Sequence, residues 1–343
     1  MESFDRVMAA LKNERNELDR YPVMNSVATY TQDFMVKYDA TWPEAHFDAD
    51  KMVRLAAAAY EECGLDNASV PFDMLVEPEI FGTPIDYHEG KILWPSVTDY
   101  LFHRFEDVSL PDDIAHAGRV PVVVEAMKKL KEKYEGVLPI NAYIDPPFTA
   151  ISSYVVDSIE FLINMKKAPE VDHEWMKGSV PFYKELCKIY EEAGADLITF
   201  HEMGASADNI SPKYFREFIL PYNQEIVKDI KVPVIMNVCG LAAGIVGAMV
   251  ETGATAVAID ERTKITGAIE ERDAVNPNIP IMGNLPAQTI LWKGPVEKIQ
   301  QAVQMVINTG IDIVAPGCDF WLQTPTEHVC AFVDAVKEFG KLK

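Results

Sequence analysis

The chain has 343 residues, of which 48% are apolar, and this is enough material for a full hydrophobic core. Its 53 acidic and 31 basic side chains give a net charge of −22, which disfavours nucleic-acid binding and repels polyanionic substrates unless arginines line the pocket. Because the sequence contains no run of 18 apolar residues and no signal-peptide core, we expect a cytoplasmic protein without a membrane span.

The elements can be predicted in chain order from apolar periodicity and turn residues. Residues 1–20 are charge-rich and amphipathic, which predicts an N-terminal helical extension. Eight apolar, β-rich runs follow, and the less regular stretch 87–131 is predicted to be an insertion and a helix after the second strand. The predicted strands are 22–27, 68–76, 138–144, 196–201, 232–238, 255–259, 279–283 and 311–315.

Amphipathic helices are predicted between the later strands, and several of them end at a glycine that leads directly into the next strand. Repeated units of this kind favour a parallel sheet covered by helices. Eight such strands favour closure into a barrel. We therefore predict an α/β protein, a single (β/α)8 TIM-barrel domain over residues 1–343.

Sulfur and polar side chains follow three of the predicted strands. His201 and Glu202 end the fourth, Cys239 follows the fifth, and Cys318 follows the eighth. Because the C-terminal ends of barrel strands meet at one mouth, these side chains are expected to lie together. Two cysteines with a Glu or His and one open position suit a catalytic zinc ion, whereas two buried cysteines beside a structural Glu are the alternative.

Two adjacent residues, His201 and Glu202, are candidates for the third zinc ligand. We favour Glu202, and His201 is then a fourth ligand, a general base or a group that orients Glu202 by hydrogen bonding. The other cysteines, Cys63, Cys187 and Cys330, are expected to serve packing. The odd total of five cysteines, their wide spacing and the lack of a secretory signal predict that the chain has no disulfide framework.

Several segments resemble a known family. The run DPPFTA at 145–150 is similar to a turn of the uroporphyrinogen decarboxylase superfamily. The runs WPEAH at 42–46, PSVT at 95–98 and GIDIVAPGC at 310–318 resemble its methylcobamide:coenzyme M methyltransferase branch. This resemblance covers nearly the whole chain and implies a zinc-dependent methyltransferase. It also implies a partner corrinoid protein that carries the cobalamin cofactor, because the chain has no Asp-x-His-x-x-Gly segment of its own.

In that branch, zinc is held by a His-x-Cys motif on the fifth strand and by the cysteine of an APGC motif. This sequence keeps Cys239 and Cys318 but has Asn237 at the histidine position, so we expect Asn237 to contact substrate instead of metal. A set of Glu202 with the two cysteines resembles that of the methanol:corrinoid methyltransferases, where zinc activates an oxygen. The resemblance thus favours O-demethylation of a methoxylated aromatic compound as the small-molecule methyl donor.

Other residues receive roles under this hypothesis. Phe148, Phe320 and Trp321 are expected to flank an aromatic substrate, although ordinary packing explains them equally well. His201 or Glu77 is expected to handle a proton on the leaving oxygen.

Three alternative functions remain to be weighed. Methyl transfer to coenzyme M or another acceptor is one, and a corrinoid-protein docking module without catalysis is a second. Decarboxylation of a porphyrinogen is disfavoured, because no arginine follows the first predicted strand until Arg54 and the net charge is strongly negative.

Overall fold

The computed structural model describes residues 1–342 and contains a curled sheet of seven parallel strands in the order β1-β4-β5-β6-β7-β8-β9. A separate antiparallel pair joins β2, just before the predicted insertion, to β3 inside it. The strands are β1 (Ala68–Val70), β2 (Ile85–Asp86), β3 (Ser96–Val97), β4 (Ile140–Ile144), β5 (Leu197–His201), β6 (Val234–Val238), β7 (Ala256–Ile259), β8 (Ile281–Leu285) and β9 (Ile313–Pro316).

The first predicted strand closes the sheet into a barrel. On one side, the Met24 amide donates to the Val314 carbonyl at 3.0 Å, so this segment continues the parallel ladder of β9. On the other side, the Asp66 amide donates to the Val23 carbonyl at 2.8 Å, next to β1. The predicted (β/α)8 barrel is therefore confirmed, although this first strand is reduced to a single bridge at Val23.

Helices surround the barrel. The α-helices span Ser3–Leu11, Gln32–Lys37, Ala49–Cys63, Val76–Phe81, Val120–Tyr134, Pro147–Ala150, Ser158–Lys167, Pro169–Ala193, Pro212–Tyr214, Leu220–Val227, Val246–Glu251, Ile265–Asp273, Val296–Asn308 and Thr326–Phe339. Single turns of π-helix cover Ile151–Val155, Phe215–Ile219 and Ala287–Trp292, and short 3-10 turns cover Arg15–Glu17, Glu44–His46, Phe105–Asp107, Ile114–His116 and Met203–Ala205. Within residues 1–342, no helix is long and apolar enough to cross a membrane.

The predicted N-terminal helix is observed at Ser3–Leu11, and it packs against strand residues that face the inside of the barrel. Val7 and Leu11 belong to the same buried cluster as Leu197, Ile235 and Met282, which are inward-facing strand residues. The alternate residues of these strands belong to the larger cluster beneath the outer helices. This two-sided burial is the reason that the barrel strands are mostly apolar.

The predicted insertion at 87–131 contains two kinds of structure. Its first part is irregular and contains β3, which pairs with β2 just before the insertion, and two 3-10 turns. Its second part contains Val120–Tyr134, the regular barrel helix before β4. The predicted strand at 68–76 is too long, because Pro71 lacks the amide needed to continue the ladder and the helix Val76–Phe81 begins soon afterwards.

Two cysteines that were expected only to pack are joined in the structure. Cys63 ends the helix Ala49–Cys63, Cys330 lies on Thr326–Phe339, and their Cα atoms are 4.5 Å apart in a disulfide. The expectation of no disulfide therefore fails here, because two helices far apart in sequence pack side by side. Cys187 is buried and free, as the packing interpretation requires.

Candidate metal centre

Three donor side chains meet at the C-terminal ends of the barrel strands. His201 ends β5, Cys239 follows β6, and Cys318 follows β9. One ligand atom from each of them lies within 4.8 Å of the others, and His201 Nε2 is 3.1 Å from Cys239 Sγ. The two sulfurs are joined as a disulfide, so a metal-binding form requires their reduction to thiolates. One nitrogen and two sulfur donors make a set that suits zinc.

The imidazole of His201 is held by contacts to its Nδ1 atom, while its Nε2 atom faces Cys239. Its Nδ1 lies 2.8 Å from Tyr143 Oη and 3.2 Å from Asp145 Oδ1. With the ring proton on Nδ1, where these oxygens can accept it, the Nε2 lone pair is directed at Cys239. Burial lowers the pKa of His201 to about 4, so the ring is neutral at pH 7, as a metal ligand must be.

Glu202, the favoured third ligand from sequence, lies elsewhere. Its carboxylate accepts hydrogen bonds from Thr149 Oγ1 at 2.7 Å and from Asn223 Nδ2 at 2.8 Å, in full burial. Successive residues of a strand point to opposite faces, so Glu202 points under the outer helices when His201 points to the interior. Burial raises the pKa of Glu202 to about 7. The geometry thus brings His201, and not Glu202, to the cysteines.

Asn237 lies below the metal group. Its Nδ2 donates to Ser26 Oγ, and its Oδ1 is 3.8 Å from Cys239 Sγ. It is absent from the cavity wall described below. Its expected contact with substrate therefore finds no support in the geometry.

Two further predicted residues, Phe148 and Glu77, do not line the cavity described below. Phe148 is buried and packs edge-on against Phe161, with ring centroids 5.4 Å apart. Glu77 is buried on the helix Val76–Phe81, where burial and the nearby charge of Asp145 raise its pKa well above the usual range. Phe148 therefore contributes to packing against Phe161. Glu77 lies near Asp145 and does not reach the cavity wall.

A cavity of about 510 Å³ opens above His201 and Cys318. Phe320 and Trp321 line it, as the sequence led us to expect, together with Tyr143. The sequence interpretation missed Asp260, Glu261 and Asp319, which also line the wall. Asp260 and Glu261 directly follow β7, so the strand-end argument that found the cysteines could have found them too.

Trp94 also lines the cavity, and the sequence carried no signal for it. It lies in the insertion before β3, outside any strand end. Its indole is 37% exposed and packs edge-on against Tyr30 and Trp42, with ring centroids 5.0 and 5.1 Å away. The irregular segment between β2 and β3 thus contributes one wall of the site.

The model of the uroporphyrinogen decarboxylase (URO-D) family matches residues 2–339. The chain therefore belongs to the uroporphyrinogen decarboxylase (URO-D) family. It is 30% identical over 333 residues to the methylated-thiol--coenzyme M methyltransferase of Methanosarcina mazei, with 97% of this chain and 88% of the relative covered. It is 30% identical over 339 residues to the methylcobamide:CoM methyltransferase MtbA of Methanosarcina acetivorans, with 98% and 97% covered.

A solved structure described as a methyltransferase from Methanosarcina mazei is similar along the whole chain. The TM-score is 0.92 at 29% sequence identity, and 99% of each chain is covered. These relatives are methyltransferases by name, in agreement with the branch that the sequence motifs indicated.

Proposed function

We propose that this protein is a corrinoid-dependent methyltransferase that moves a methyl group from a methylcobamide, presented by a partner corrinoid protein, to a thiol. The observation that carries the proposal is the group of His201, Cys239 and Cys318 beneath an open cavity. The names of the relatives support it, because they are coenzyme M and methylcobamide methyltransferases.

We thus propose a thiol as the methyl acceptor, whereas the sequence analysis favoured a methoxylated aromatic compound as the methyl donor. That preference depended on Glu202 as a hard oxygen ligand, and Glu202 is bound instead to Thr149 and Asn223. A donor set of one imidazole and two thiolates favours soft sulfur chemistry. Zinc bound there would lower the pKa of a substrate thiol and keep it as a thiolate.

The chain's own residues position the reactants. Tyr143 and Asp145 fix the ring of His201, which prevents the donor atom from turning away. Phe320 and Trp321 limit water at the reacting sulfur and leave the mouth open to a partner. In the reaction, the sulfur forms a bond to the methyl carbon while the cobalt–carbon bond breaks, and the cobalt keeps the electron pair. The thiol proton is released to solvent.

The test uses the reduced, zinc-loaded protein with methylcobalamin or the methylated cognate corrinoid protein. We expect a panel of thiols to remove the methyl group, visible as loss of the methyl–cobalt absorption band, and Cys239→Ser to abolish this reaction. Cys187→Ser is the matched control, because Cys187 is a free cysteine outside the metal group.

Two results would contradict the proposal. Methylation of cobalt(I) by a methoxylated aromatic compound, without thiol activity, would restore the oxygen hypothesis. A protein without zinc that binds the corrinoid protein but transfers no methyl group would favour the docking module.

A further inference from the structure

The turn that follows β6 carries Cys239 and changes direction at the next residue. Gly240 has a φ of +98°, a backbone conformation that residues with a side chain rarely adopt. A Cβ atom at Gly240 would lie 2.6 Å from Ser206 Oγ and 3.1 Å from Asp208 Oδ2. The turn is therefore packed closely against the loop that follows β5, the strand that ends with His201.

Asp208 joins this turn to the loop after β5 by hydrogen bonds. Its Oδ2 atom accepts the Leu241 backbone amide at 3.0 Å and the Ser206 hydroxyl at 3.0 Å. In the opposite direction, the Ala207 amide donates to the Leu241 carbonyl at 2.7 Å. Both backbone polar groups of Leu241 are thus bound, two residues after Cys239.

The same carboxylate oxygen also reaches the loop after β7. Arg262 in that loop donates from Nη1 to Asp208 Oδ2 at 2.7 Å, and a hydrogen bond between two charged groups is among the stronger kinds. The Arg262 backbone amide donates to Oδ1 of Asp260, a cavity residue, at 2.8 Å. Thr263 Oγ1 accepts the Ala242 amide at 2.8 Å. Asp208 therefore connects the loops that follow β5, β6 and β7.

A fixed turn has a direct consequence for metal binding. Zinc takes its ligands in a nearly tetrahedral array, so each thiolate must occupy one place. A cysteine on an unsupported turn loses conformational freedom when the metal binds, and this loss lowers the affinity. A turn that is held before the metal arrives avoids most of that loss.

We propose that Asp208 is a positioning residue that holds the turn of Cys239 in its metal-binding place. Among residues 1–342, Asp208 belongs neither to the group of possible ligands nor to the cavity wall, so it acts through the backbone of Leu241. This inference rests on the proposed function, because it concerns the zinc ion that the reduced site would hold.

The zinc affinity of the reduced protein tests this role, measured at a temperature where every variant is folded. In a competitive titration with a chromophoric chelator, Asp208→Ala should bind zinc about tenfold more weakly than the wild type. Asp208→Asn keeps a carbonyl oxygen that can accept the Leu241 amide, and it should lower the affinity by only about two- to threefold. This partial rescue identifies the hydrogen bond to the turn as the cause.

Asp157→Ala is the matched control. The Oδ1 atom of Asp157 also accepts two backbone amides, those of Ile159 and Glu160 at 3.0 Å each, at the start of the helix Ser158–Lys167. It belongs to neither the metal group nor the cavity wall in the described chain. This variant should lower the stability of the metal-free protein in urea unfolding and leave the zinc affinity equal to that of the wild type.

The outcomes separate this inference from the proposed function. A wild-type zinc affinity in Asp208→Ala, or an equal fall in Asp157→Ala, would show that the Asp208 carboxylate serves folding alone, and the positioning role would be overturned while the zinc centre stands. If the reduced wild-type protein binds no zinc, the proposed function fails and the inference fails with it.

Discussion

His201 and Glu202 are neighbours in the chain, yet their side chains lie on opposite sides of the barrel wall. His201 reaches Cys239 with its Nε2 atom 3.1 Å from the sulfur, while Glu202 accepts hydrogen bonds from Thr149 and Asn223 beneath the outer helices. The pairing of His201 with Asn237 in the β5–β6 register keeps both side chains on the inner face. An imidazole from β5 thus lies beside the two cysteines, whereas the motif that this sequence resembles carries its histidine on the next strand.

The first prediction concerns the metal ligands. The reduced protein should bind about one zinc per chain, and alanine at His201, Cys239 or Cys318 should reduce retention sharply because each removes a donor from the group. Glu202→Gln and Asn237→Ala should retain zinc. Elemental analysis after dialysis against a weak chelator provides the measurement. Loss of zinc in Glu202→Gln with retention in His201→Ala would reverse the assignment.

The second prediction concerns the support of His201. Asp145→Asn should weaken zinc binding by about ten- to a hundredfold, because an amide replaces the carboxyl group that orients the imidazole. Tyr143→Phe should act in the same direction through the loss of its hydroxyl. A competitive titration with a chromophoric chelator measures the affinity. An unchanged affinity in both variants would show that the Nδ1 contacts do not fix the ring.

The third prediction concerns stability as a function of pH. Asp172 is fully buried on the helix Pro169–Ala193, and both of its carboxylate oxygens lack partners within residues 1–342. Burial, with smaller contributions from Glu160 and Glu170, raises the pKa of Asp172 to about 8. In the unfolded chain an aspartate titrates near pH 4, so between about pH 4 and pH 8 the folded state holds a proton that the unfolded state has lost.

Stability from this group is therefore greatest below about pH 4 and declines as the pH rises to about 8. Asp172→Asn should stabilise the protein at pH 8 by about 1–3 kcal/mol, and less at pH 5. Urea unfolding at both pH values measures this difference, and Glu174→Gln, an exposed position on the same helix, is the control. Equal effects of Asp172→Asn at the two pH values would contradict the assignment.

The fourth prediction concerns Gly317, which precedes Cys318. A Cβ atom at this position would lie 2.7 Å from the Glu261 backbone nitrogen and closer still to its carboxylate. Gly317→Ala should therefore displace the chain at Glu261 and lower the free energy of unfolding by about 1–3 kcal/mol, measured by urea unfolding. Gly267→Ala, where a Cβ atom meets no neighbour, is the control. A free energy of unfolding equal to that of the wild type would show that the chain accommodates the Cβ atom without cost.

The sequence by itself determined the barrel and the location of its site. Apolar runs bounded by turn residues gave strands that overlap those observed, because two-sided burial imposes that pattern on every strand. The strand-end argument also brought Cys239 and Cys318 to one mouth, since parallel strands end at the same face.

Only the tertiary structure decided which neighbour faces the metal group. Because side chains alternate along a strand, a shift of one residue in register exchanges His201 and Glu202 between the two faces, and a local pattern of buried residues does not fix that phase. The wall contributed by Trp94 was equally beyond the sequence, since an irregular insertion has no periodicity from which its direction can be read. Its position follows from packing against Tyr30 and Trp42, which are distant in the chain.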